Sequence, residues 1–154
     1  MNLLDHFVLQ HVQVSELRAR LISPAENSGS NETKVELNLT PRLMQTDGGE
    51  QPPSYQVSAR LSCKGGRADE PGPEFSVRAG IEAIYQQTSG APVDLAEFSA
   101  NHASLTRQLY PLLQQELRVM MLRMGLEQVH LPFDLAPPVE SAEGSPVQVS
   151  GAVH

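Results

Sequence analysis

The chain has 154 residues, a formal charge of −7, and 40% apolar residues with few aromatics (5%, no Trp). That length suffices for one domain that buries roughly two-thirds of its unfolded surface without metals or disulfides. Acidity, with Lys and Arg scattered along the sequence, argues against a nucleic-acid partner, since phosphate binding needs a clustered basic surface.

The single cysteine, Cys63, excludes an internal disulfide, and the start MNLLDHFVLQ lacks the basic and long apolar regions of a secretory signal. No apolar run approaches the roughly 20 residues of a membrane span. These features predict a cytoplasmic protein with no membrane insertion.

From Phe7 the pattern alternates through Val12 and Val14, then Leu17, Ala19 and Leu21, with a change of phase between. An extra residue in a strand causes such a flip, so a long strand bulged near Ser15 is predicted. SPAENSGSNE is a turn, and TKVELNL puts Val35, Leu37 and Leu39 on one face of a second strand ending near Pro41. After DGGEQPP, a third strand aligns Tyr55, Val57, Ala59, Leu61 and Cys63. After GGRADEPGP, a fourth aligns Phe75, Val77, Ala79, Ile81 and Ala83. The joining turns are too short for crossover helices, so an antiparallel sheet, a meander, is expected.

The sheet's apolar face needs a cover. VDLAEF reads as a helix start, with Asp94 as cap, Glu97 closing a capping box, and Val93 and Phe98 at staple spacing. In RQLYPLLQQELRVMMLRMG, the residues Leu109, Leu113, Leu117, Met120, Met121 and Met124 form one helical stripe that suits the sheet. A second row, Leu105, Leu112 and Val119, repeats every seven residues, which suits either a wide core face or an oligomer interface. Pro111 would cost about 3 kcal/mol inside a helix, so the helix is expected to start near Tyr110 or to kink there. The fold class is α+β: a four-stranded antiparallel sheet with one long helix packed on one face. Residues 1–135 form the domain, and 136–154, rich in Pro, Ser and Gly, read as a disordered tail.

This order of strands, a helix entered through LYP (Leu109, Tyr110, Pro111) and then LEQVHLPFDL resembles the SecB family of tetrameric export chaperones. KVELNL resembles the family's Val-Lys-Leu-x-Leu strand, and FSVRAGIEAIY its strand ending in Gly-Ile-Phe, with Ile84 and Tyr85 on the aliphatic-aromatic pair. LLQQ after LYP departs from the family's helix start. The resemblance implies a homodimer or homotetramer joined through the long helices by Leu105, Leu112 and Val119. It also implies a cofactor-free binding activity that keeps unfolded or non-native proteins in apolar grooves. The client-binding residues implied are Val35, Leu37, Leu39, Tyr85, Leu126, Val129 and Leu131.

In that family, acidic residues on the outer sheet face help dock the translocation motor SecA. At the matching positions Glu16 keeps its charge, Arg20 and Arg78 reverse it, and Ser76 replaces an apolar residue, so weak or absent motor docking is expected. The Pro-rich tail stands where the family has a second helix.

Catalytic chemistry is not apparent. His6, His11, His102 and His130 lack metal-ligand spacing, Cys63 lies on an inward phase as an inert thiol, and the Gly-rich CKGGRADEPG has neither dinucleotide-binding nor P-loop spacing. No metal or cofactor is expected and the protein reads as a non-enzyme. The first expectation is an ATP-independent holdase. The alternatives are a dedicated chaperone of one partner, such as an antitoxin, and a structural adaptor that binds a folded protein through Arg18, Arg20, Arg60 and Arg78 on the outer sheet face.

Overall fold

The period-two alternation is realised as four antiparallel strands with a long helix across their apolar face. The computed structural model describes residues 3–23, 33–44, 53–66, 74–126, 129, 131, 132 and 147–153. The three predicted turns, at 24–32, 47–52 and 67–73, lie outside these, apart from strand ends. In chain order the elements are α1 (Leu3–His6), β1 (Phe7–Ser23), β2 (Thr33–Leu43), β3 (Ser54–Gly65), β4 (Glu74–Gln87), α2 (Leu95–Ser99), α3 (His102–Arg123) and β5 (Val147–Val153).

The sheet order is β1-β4-β3-β2-β5, which corrects the expected meander. β2, β3 and β4 do follow one another, but β1 pairs with β4 at the far side. Three strand spacings separate β1 from β2, about 14 Å, a distance that the residues between Ser23 and Thr33 span easily. Pairing the two longest strands gives β1 a ladder partner over nearly its whole length.

The bulge predicted near Ser15 is present. The β1–β4 register shifts between Val14 and Glu16, and again between Leu9 and His11 and between Leu21 and Ser23. Gly80 is what lets β4 receive the central bulge: a Cβ there would come within 3.2 Å of Ser15 Oγ and 3.4 Å of Glu16 Cβ. Residues paired across an antiparallel ladder share a face. Val12, Val14, Leu17 and Leu21 therefore lie on the same face as Ala83, Ile81, Ala79 and Phe75, as their phase predicted.

The core lies between this face and the helices. Val35, Leu37, Leu39, Val57, Ala59, Leu61, Cys63, Val77, Ala79, Ile81 and Ala83 are buried from the sheet, and Leu105, Leu109, Tyr110, Leu113, Leu117 and Met121 from α3. The predicted helix stripe is confirmed, with Met120 and Met124 half-buried at its margin. At one end, Phe7, Tyr55, Tyr85 and Phe98 form an aromatic cluster in which Tyr55 and Phe98 stack at 4.2 Å. Tyr55 donates its hydroxyl hydrogen to the carbonyl of Val93. Asp94 caps α2, its Oδ1 accepting from the backbone of Glu97 at 2.8 Å, as the capping pattern predicted.

Pro111 lies inside α3, which runs unbroken from His102. A proline there removes one donor and leaves the carbonyl of Arg107 without its usual partner. Both residues are exposed, so water can serve that carbonyl, while Leu105 and Leu109 before the proline and Leu113 and Leu117 after it hold both halves to the sheet. Packing on either side outweighs the local cost.

Residues 147–153, expected to be disordered, form β5 against β2 in antiparallel register from Thr33↔Val153 to Leu39↔Val147. The V-x-V alternation in PVQVSGAV is the signal for this strand, masked by the Pro, Ser and Gly around it. The rest of that segment, 136–146 and 154, lies outside the described residues.

Candidate functional site

The second half of α3 and the segment after it form an open groove. Met121, Leu122, Leu126, Val129 and Leu131 line it, with Gln114 and Arg118 as the polar members. α3 ends at Arg123 with Met124 as its C-cap, and Gly125 follows in the left-handed region (φ 75°), a backbone conformation that suits glycine and reverses the chain. The backbone of Leu126 then donates to the carbonyl of Met121 at 2.9 Å, so the outgoing segment returns alongside the helix. Tyr110 donates its hydroxyl hydrogen to the carbonyl of Pro132, pinning that segment a few turns further back. A wall of Leu126, Val129 and Leu131 thus stands beside the Met121–Leu122 turn. Five apolar side chains with two polar ones at hand can take an apolar side chain of a partner and hydrogen-bond its backbone.

Of the seven residues expected to meet clients, the structure brings three, Leu126, Val129 and Leu131, into this groove. The other four lie elsewhere: Val35, Leu37 and Leu39 are fully buried on the inner face of β2, and Tyr85 is buried among the aromatics, donating to Gln108 Oε1 at 2.8 Å. α2 and α3 both pack on β2. An apolar strand face serves the core of its own chain first, and here the helices close it. Sequence reasoning placed Met121 in the core stripe and missed Leu122 as a groove residue, because a helix stripe gives no sign of where the chain will fold back on it.

The expected oligomer row divides. Leu105 is in the core, 1% exposed, which corrects its assignment to an interface, whereas Leu112 and Val119 stand out from α3 at 38% and 44%. α1, absent from the sequence reading, packs against α3. Leu122 is also exposed, and so are Val12, Val14, Leu17 and Leu21 on the helix side of β1. α3 lies mainly on β4 and β3, leaving that edge uncovered.

The four outer-face residues are brought together. Arg20 is paired with Ser76, Glu16 with Gly80, and Arg78 lies 3.6 Å from Glu16, Nη1 to Oε1. Cys63 is fully buried, and desolvation pushes its thiol up from 9.0 to about 12, which keeps it protonated and unreactive at neutral pH. Burial likewise raises the phenol of Tyr85, and burial together with Asp94 and Glu97 raises that of Tyr55. Among the described residues no group of three His, Cys, Asp or Glu could hold a metal ion, and no helix is long and apolar enough to cross a membrane.

The four-stranded antiparallel sheet with a long helix packed on one face is a SecB-like fold. A solved structure with this fold is Mycobacterium tuberculosis Rv1957, a SecB-like chaperone in complex with a ChAD peptide from the Rv1956 HigA1 antitoxin. It matches at a TM-score of 0.61, covering 85% of this chain and 93% of that one, with 15% sequence identity. No family model and no curated protein sequence matches the chain.

Proposed function

We propose that this protein is an ATP-independent, cytoplasmic holdase that keeps non-native polypeptides soluble by holding their apolar side chains in the groove beside α3. The observation that carries this reading is the groove itself, in which exposed Leu122 and half-buried Val129 and Leu131 stand beside buried Met121 and Leu126 on a SecB-like fold. Flexible Met and Leu side chains adapt to partners of varied shape, which a general holdase requires. Val35, Leu37, Leu39 and Tyr85 serve the core of the chain in this reading, not the client surface. Preprotein export is the client class the fold suggests, without docking to SecA through the outer face, where Arg20 and Arg78 carry the opposite charge.

The protein acts as a homodimer or homotetramer in this reading. Support comes from exposed apolar residues on two neighbouring elements, Val12, Val14, Leu17 and Leu21 on β1 and Leu112 and Val119 on α3, since apolar surface of this kind marks association. A second reading, a dedicated chaperone of one partner, is favoured by the match to a chaperone solved with an antitoxin peptide.

Light scattering of a chemically unfolded, unrelated protein diluted into buffer tests the first reading. Suppression of the scatter by the wild type, lost in Leu122→Asp with Val129→Asp, supports it. No suppression for several unrelated proteins, with tight binding to a single partner, supports the second.

A further inference from the structure

The register gathers on the outer sheet face cations that look scattered along the chain. Three adjacent rows run across β1, β4, β3 and β2: Arg20, Ser76, Lys64 and Lys34; then Arg18, Arg78, Ser62 and Glu36; then Glu16, Gly80, Arg60 and Asn38. Six of the chain's 11 Lys and Arg residues fall within them, although the net charge is −7. With strands about 4.8 Å apart and same-face rows about 7 Å apart, the patch measures about 14 Å in each direction.

Two of its contacts are unfavourable in themselves. Arg18 is directly opposite Arg78, and Lys34 directly opposite Lys64. Like charges so placed destabilise a sheet, and nothing in the fold needs them, since the outer side of every strand accepts any polar residue. Arg18, Arg20, Lys34, Arg60 and Lys64 are all exposed.

We propose that this face is a docking surface for an acidic polypeptide segment of a partner protein, separate from the groove and on the opposite side of the sheet. Guanidinium forks recognise carboxylates bidentately, and a flat patch of this width matches about four or five residues of extended chain. A short acidic segment places a few carboxylates between Glu16 and Glu36 and avoids them. A long polyanion cannot, and it also meets the repulsion of the whole chain. Docking here leaves the groove free, so a client and an acidic partner bind together.

The test is fluorescence anisotropy with a labelled peptide of alternating Glu and Ser, a Gln-Ser control peptide and a labelled single-stranded DNA, with full-length protein at low and high salt. The acidic peptide is expected to bind, the control not, and affinity is expected to fall roughly tenfold or more at high salt. Arg18→Glu with Lys64→Glu abolishes this binding while retaining the wild-type melting temperature and the hold on an unfolded client. The proposal is overturned if the acidic peptide does not bind, if the double variant binds it as well as the wild type, or if DNA binds more tightly than the peptide. Client binding measured in the same variant keeps this result apart from failure of the groove reading.

Discussion

Leu105 and Leu112 lie seven residues apart on α3, nearly in line on the helix surface, yet Leu105 is 1% exposed and Leu112 38%. The difference comes from packing: Leu105 is part of the buried core cluster, whereas Leu112 is outside it. Leu105→Ala is expected to destabilise the fold by about 2–5 kcal/mol. Leu112→Arg is expected to leave the melting temperature unchanged and to reduce the assembled mass. Light scattering of the purified variants distinguishes them; a wild type that is already a monomer removes the interface from the account.

Gly80 is opposite the β1 bulge, where a side chain meets Ser15 and Glu16. Gly80→Val is expected to cost about 1–3 kcal/mol through overpacking, lowering the melting temperature by several degrees. Melting at the wild-type temperature would show that the bulge is not held against this glycine.

The folded protein keeps Cys63 protonated to about 12, while the unfolded thiol ionises near 9.0. Above pH 9 the unfolded state therefore binds fewer protons than the folded state, so stability falls as pH rises, on the order of 1 kcal/mol per pH unit from this group until the folded thiol itself ionises. The raised phenols of Tyr55 and Tyr85 act in the same direction at higher pH. Thermal melts at pH 7, 9 and 10 are expected to show a steeper alkaline loss in the wild type than in Cys63→Ala. Equal slopes would rule this coupling out.

β5 occupies the outer edge of β2 from Thr33 to Leu39. Removing residues 147–154 leaves that row of backbone groups unpaired, and an open strand edge invites pairing between chains. The truncated protein is expected to form larger species with rising concentration in sedimentation experiments, unlike the full chain. Identical profiles would show that β5 does not shield the edge.

Much of the fold was legible because apolar alternation on a half-buried sheet is strict: the inward residues of β2, β3 and β4 and the bulge at Ser15 follow from phase alone. Strand order was not, because phase says which face a residue takes and nothing about its neighbour, so β1 was placed beside β2 instead of β4. The helix through Pro111 was obscured because the local penalty is visible in sequence and the packing of Leu105, Leu109, Leu113 and Leu117 is not. The same limit applies to the site. Leu126, Val129 and Leu131 were singled out through the family resemblance, whereas Leu122 enters the groove only through the return of the chain after Gly125. Phase alone put Arg18, Arg20, Arg60 and Arg78 on the outer face; the register adds Lys34 and Lys64 beside them.

The central claim, that the groove beside α3 holds non-native chains, is tested most directly by fluorescence anisotropy of one labelled protein presented in a permanently unfolded and in a native form. The wild type is expected to bind the unfolded form and not the native one, without ATP, and Leu122→Asp with Val129→Asp to lose this binding while melting normally. Equal binding of both forms, or unfolded-chain binding untouched by the double variant, would contradict it.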